Sequence, residues 1–178
     1  MKKHKAKKHS KKGFSLIELL IVVAIILIIA AIAIPNLLRS RIAANEASAV
    51  GSLRTLNTAE VTYNTTYPGN GFACSLGVLG PPASGTAASS ANAGLIDSNL
   101  ASGTKSGYAF TLPVAGTCAP TATGIATTYD IKADPVSPGV TGQRYFCTDN
   151  AGVILYNPTA SIGDATNQCS TASPTAPI

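Results

Sequence analysis

From Leu19 to Ile34 the chain runs without a charge or a hydroxyl, and from Phe14 to Ile34 only Ser15 and Glu18 are polar. About twenty apolar residues in a helix span roughly 30 Å, the thickness of a bilayer's hydrocarbon core. An ionisable group at the centre of such a run costs on the order of 2.5–3.5 kcal/mol. Glu18, one turn in from the start, carries a smaller cost but still asks for a partner. After Pro35 and Asn36 the pattern becomes that of an amphipathic helix. Leu38, Ile42, Ala49, Leu53, Leu56 and Tyr63 follow at steps of four, seven, four, three and seven, one helical face. Arg39, Arg41, Glu46, Arg54 and Glu60 populate the other sides. Pro35 lacks an N–H and crowds the Ala31 carbonyl, so the helix is expected to kink there and continue. Gly51 weakens it by about 1 kcal/mol relative to alanine. Tyr67-Pro68-Gly69-Asn70-Gly71 breaks it. A helix is therefore predicted from residue 14 to about 66, about 80 Å long at 1.5 Å per residue.

Residues 68–178 read differently. Tyr108, Phe110 and Leu112 alternate with Ala109 and Thr111, and Tyr129, Ile131 and Ala133 alternate with Asp130, Lys132 and Asp134. Gln143–Thr148 and Val153–Tyr156 flank Asp149-Asn150-Ala151-Gly152, a hairpin turn signal. Four short strands with short connections predict an antiparallel meander whose apolar face packs on the Leu38–Tyr63 helix face, an α+β fold. Residues 81–106 are expected to form a loop, its Ala83–Gly94 part rich in Ala, Ser, Gly and Thr. Residues 170–178 are expected to fray. The resulting organisation is a basic leader (1–13), a hydrophobic helix (14–36), an amphipathic helix (37–67) and a β-rich head (68–178).

Charge sharpens the N-terminal picture. The net charge is +5, but Lys2, Lys3, Lys5, Lys7, Lys8, Lys11 and Lys12 all precede Phe14. Without residues 1–13 the chain keeps six basic and eight acidic side chains, a net of −2. The lysines abut an apolar span with no aromatics between them, so the positive-inside rule accounts for them better than nucleic-acid binding does. Three readings of this terminus compete. A secretory signal peptide would be cut after Ala33, at Ala31-Ile32-Ala33. A plain anchor would stay uncut. A cut between Gly13 and Phe14 would leave the apolar helix in the mature protein.

Gly13-Phe14-Ser15-Leu16-Ile17-Glu18-Leu19-Leu20-Ile21-Val22-Val23-Ala24-Ile25-Ile26, continuing to Ala33-Ile34-Pro35-Asn36, resembles the signature of type IV pilins and type II secretion pseudopilins. The resemblance covers about twenty-four residues. It implies cleavage after Gly13 by a prepilin peptidase and N-methyltransferase, methylation of Phe14, and homopolymerisation through the N-terminal helix. An assembly ATPase and an inner-membrane platform protein would supply the work. It also implies the pilin fold, a precursor held N-terminus-in in the inner membrane, and then an extracellular pilus filament or a periplasmic pseudopilus. Besides the pilus subunit, the readings kept open are a type II secretion pseudopilin and an exported adhesive or minor pilin-type binding module.

Elementary chemistry agrees with that signature. Cleavage turns the Phe14 nitrogen into an amine, cationic near neutral pH. Within one subunit Glu18 lies one turn from it and also favours the helix dipole, worth a few tenths of a kcal/mol. In a filament the resemblance implies pairing with a neighbour's Phe14 amine instead, where low dielectric penalises an unpaired carboxylate and so fixes register. A side chain at position 13 would obstruct a peptidase gripping extended backbone, though glycine also suits any flexible junction.

Cys74, Cys118, Cys147 and Cys169 all lie beyond the apolar segment, which favours disulfides over metal ligation. Of three pairings, Cys74–Cys118 and Cys147–Cys169 each close a contiguous part of the head. The only histidines, His4 and His9, precede Phe14, so histidine-based catalysis and metal sites are excluded from the mature chain. No enzyme, cofactor or metal is expected. Asp130, Asp134, Asp149 and Asp164 suit turn capping and solvation better than a calcium site. Tyr63, Tyr67 and Phe72 suit core packing better than electron conduction.

Overall fold

The structure, a computed structural model, describes residues 13–112, 126–162, 169 and 176–178. It divides into two units, Met1–Leu38 and Arg39–Ile178. One helix, α1 (Leu16–Thr66), contributes to both and contains Pro35. In the first unit its large apolar side chains are all exposed, from Leu16 to Leu38. Leu38, expected on the covered face, is 43% exposed.

The second unit shows why the remainder of α1 is helical. Ile42, Glu46, Ala49, Leu53, Leu56, Glu60 and Tyr63 are buried at alternating steps of four and three, a continuous stripe along one face. Sequence reading placed Glu46 and Glu60 among the solvated sides. They instead sit midway in the two seven-residue steps, Ile42 to Ala49 and Leu56 to Tyr63, and complete the stripe. Near its end α1 is rich in threonine. Thr58, Thr62, Thr65 and Thr66 each turn a hydroxyl back to a carbonyl one turn earlier, which satisfies them without competing with the helix. Tyr67 N–H still donates to the Tyr63 carbonyl at 2.8 Å. Pro68 then disfavours helical backbone at the residue before it.

Six antiparallel strands form one sheet in chain order: β1 (Thr104–Lys105), β2 (Tyr108–Thr111), β3 (Asp130–Pro135), β4 (Tyr145–Asp149), β5 (Ile154–Asn157) and β6 (Ala176–Pro177). The α+β fold and the central meander match the sequence pattern, and the outer strands β1 and β6 are additions to it. Phe110, Ala133, Phe146 and Tyr156 lie in one cross-strand row, all in the main core or against it. The main core joins Ala49, Leu53, Leu56, Ala59 and Tyr63 of α1 to Tyr108, Phe110, Ile131, Phe146 and Ile154 of the sheet. Phe146 and Cys147 face opposite ways. Cys147 accordingly enters a second, smaller core with Ile162 and Cys169.

Two short helices, α2 (Leu76–Leu79) and α3 (Ser98–Ala101), deliver Leu76, Leu79 and Leu100 to the main core. The second lies inside the stretch 81–106 expected to be loop, as does β1. Asp97 caps α3 by accepting from Leu100 N–H at 3.0 Å and also ion-pairs with Lys105 at 2.9 Å. One turn of helix has no detectable periodicity, so only the cap and the buried leucine mark it. The stretch 170–178, expected to fray, includes β6, whose Leu155↔Pro177 and Tyr156↔Ala176 pairs cover β5. Pro177 has no N–H to offer a further strand, which suits an edge.

Candidate functional site: the N-terminal segment and the buried acids of the head

In the first unit Gly13, Phe14 and Ser15 precede α1. A side chain at Gly13 would meet no atom within 4 Å, so packing among the described residues does not require glycine there. Phe14 is 83% exposed. Glu18 Oε2 accepts the Ser15 N–H at 2.8 Å, the return half of a capping box in which an acid in the first turn satisfies a backbone donor ahead of the helix. In the uncut chain Glu18 is thus bonded within its own segment. Beyond it, consecutive Leu27, Ile28 and Ile29 are 64, 62 and 60% exposed. Since successive residues point about 100° apart, the helix is apolar all round, which belongs in lipid or among other helices. Among the described residues α1 is the helix long and apolar enough to cross a membrane.

In the second unit two acids expected in solvent are core groups, each solved differently. Glu46 Oε1 accepts from the backbone N–H groups of Gln143 and Arg144 at 2.9 and 3.2 Å, and Oε2 accepts from Arg144 Nε at 2.7 Å. The Arg144 guanidinium also lies over the Phe146 and Tyr156 rings, 5.4 and 5.3 Å from their centroids. This clamp ties α1 to the entry of β4. Among the described residues Glu60 has no such cation. Its Oε2 accepts the Ala73 N–H at 2.8 Å, while its buried Oε1 has no hydrogen-bond partner among the described residues. Burial pushes its carboxyl up from an ordinary 4.5 to about 8, with the Ala73 N–H pulling the other way. The neighbouring Tyr129 phenol is pushed up to about 12, chiefly by burial. Sequence reading missed both glutamates. The available signal was their position at the midpoints of the apolar stripe.

Cys147 and Cys169 are disulfide-bonded, with Cα atoms 5.6 Å apart. Cys74 is also in a disulfide; Cys118, its expected partner, lies outside the described residues. Of the four aspartates weighed for calcium, Asp164 lies outside them too. Asp130 and Asp149 are cross-strand partners and gather with Cys169 within 4.8 Å, but that sulfur is spent on Cys147. Asp149 Oδ1 accepts from Ala151 N–H at 2.9 Å in the hairpin turn, and Asp134 Oδ2 accepts from Ser161 Oγ at 2.7 Å. Tyr63 and Tyr67 rings sit 5.1 Å apart and Phe72 and Tyr129 4.8 Å apart, in the main core or against it.

Residues 8–34 match the prokaryotic N-terminal methylation motif. The type IV wide pilus major component PilA4 of Thermus thermophilus is 46% identical over 79 residues, which cover 42% of this chain and 60% of that protein. The type IV major pilin protein PilA of Myxococcus xanthus is 48% identical over 52 residues, 29% of this chain and 24% of that protein. The chain thus spans less than two thirds of the length of either relative. No solved structure gives a significant match. In its methylation motif and in a long apolar helix whose continuation packs against a small antiparallel sheet, this chain is similar to type IV pilins.

Proposed function

We propose that the chain is a structural subunit of a type IV pilus, cut between Gly13 and Phe14, methylated at Phe14 and polymerised through the first part of α1. The single observation that carries this reading is the exposure of that helix on all sides, with its one carboxylate, Glu18, placed at its start. Before assembly the bilayer covers it, with the lysine leader in the cytoplasm. In the filament copies of the same helix cover it, and it never meets water in passing from one to the other. Cleavage creates an amine at Phe14, and Glu18 exchanges its Ser15 N–H bond for a neighbour's amine. A subunit one step out of register would bury that carboxylate alone, a loss of about 3–5 kcal/mol on breaking a buried pair. Pro35 removes one bond from the backbone ladder and gives the helix a point at which to bend while packing. The subunit catalyses nothing. A prepilin peptidase and methyltransferase, an assembly ATPase and an inner-membrane platform protein act on it.

Both similar proteins are by name pilus components, which favours an extracellular pilus over a periplasmic pseudopilus or a minor adhesive subunit. The test is the mature N-terminus of material sheared from the cell surface. Abundant fibres whose subunits begin at N-methyl-Phe14 are expected. Subunits beginning at Ile34, or a chain found only as dispersed monomers, would overturn the proposal.

A further inference from the structure

Glu60 occupies a core position of α1 between Leu56 and Tyr63 and is 0% exposed. Its one hydrogen bond reaches the segment that follows α1, at Ala73, next to the disulfide-bonded Cys74. That segment is otherwise held by the Phe72 N–H donating to the Ala126 carbonyl at 3.0 Å and by the Gly71↔Ala126 bridge. Among the described residues no basic side chain pairs with Glu60; Arg144 is taken by Glu46 and Lys105 by Asp97. The titratable groups facing it are themselves acids. Tyr129, just ahead of β3, shares its field, and Asp149 of β4 acts on the same phenol. Tyr63, one turn along α1, spends its hydroxyl on the Ser90 carbonyl at 2.7 Å. A carboxylate here would be a buried charge with one backbone donor and no counter-ion, an arrangement that neutralises rather than persists.

We infer that Glu60 is kept as a neutral carboxylic acid in the folded head and that the head loses stability as rising pH takes that proton away. As the acid, one oxygen accepts from Ala73 and the other sits in the core uncharged. As the anion it would hold the Ala73 N–H more strongly, but its charge would lie buried with no second donor and no cation among the described residues. The inference concerns the second unit alone and stands whether or not the chain forms a pilus.

The sign follows from the pKa values. Unfolded, Glu60 ionises around 4.5, whereas folded it holds its proton to about 8. Folding therefore takes up a proton between those pH values. Stability is greatest below pH 4.5 as far as this group is concerned, falls as pH rises through the window, and is flat again above 8. One proton corresponds to as much as about a tenfold loss in the folding constant per pH unit within the window. The background is favourable, since no histidine follows residue 13.

The experiment is denaturant unfolding of the full chain in detergent at pH 5, 6.5 and 8, wild type against Glu60→Gln. Glutamine keeps an oxygen for the Ala73 N–H but has no proton to lose. The wild type should weaken steeply across the series, and the variant should show a slope smaller by about one proton. Equal slopes would overturn the inference. Carbon-13 NMR of the wild-type Glu60 carboxyl serves independently, even should the variant fail to fold. A midpoint near 8 is expected; a midpoint near 4.5 would sink it.

Discussion

The stretch of α1 from Leu16 to Leu38 and the stretch from Ile42 to Tyr63 share one backbone geometry and differ in what covers them. In the first, apolar side chains point in every direction and the large ones are all exposed, and the one acid stands at the beginning, bonded to Ser15 N–H. In the second, the buried residues lie along one stripe, the sheet covers it, and two acids are built into the covered face. A helix apolar all round can be satisfied only by lipid or by other helices, whereas a striped one is satisfied by its own chain. One half is therefore designed for partners and the other for folding. The acids follow the same division. Glu46 and Glu60 find their bonds with distant parts of the head, while Glu18 bonds only the adjacent Ser15 N–H among the described residues.

If that division holds, each half should fail in its own way. The largest effect expected is from Glu18→Ala, with fibre yield from the cell surface reduced by more than about a hundredfold, the loss of a buried pair at 1.4 kcal/mol per factor of ten. Head stability should be unchanged in the same variant by circular dichroism of solubilised subunits; normal fibres would erase the contrast. Leu56→Ala, at a fully buried position, should lower head stability by about 2–5 kcal/mol in denaturant unfolding. Removing the second disulfide with Cys147→Ser and Cys169→Ser should cost about 2–4 kcal/mol, read as a lower unfolding midpoint than wild type under oxidising conditions. Glu46→Ala strands the Gln143 and Arg144 donors and should cost about 1–3 kcal/mol, with Arg144→Ala in the same background adding less than it does alone. The smallest effect, within about 0.5 kcal/mol on head unfolding, is expected of Leu27→Ala. A large destabilisation there would mean that the exposed half contributes to the head after all.

Periodicity made the long helix and the four central strands legible, because each repeats its pattern often enough to be recognised without knowing the neighbours. β1, β6, α2 and α3 escaped for the opposite reason. Two to four residues carry no period, and their existence depends on a partner such as β5, or on a core that receives Leu76, Leu79 and Leu100. At the N-terminus, Gly13, Phe14 and Glu18 stood out because a glycine, an aromatic and an acid at that spacing interrupt the passage from lysines to an unbroken apolar run. Glu46 and Glu60 were misplaced because a carboxylate on an amphipathic helix is solvated unless a distant segment supplies a donor. Here the donors are Gln143, Arg144 and Ala73.

Local chemistry alone thus determined the membrane-length apolar segment, the break at Pro68, the strand alternation and the concentration of positive charge before Phe14. Those properties arise from neighbours in the chain and hold whatever the rest does. Only the tertiary structure decided which acids are buried, which of them has a cation, and which half of α1 is covered. Burial and pairing are relations between residues far apart in sequence, such as Glu46 with Arg144, and a one-dimensional pattern cannot fix them until the chain has closed on itself.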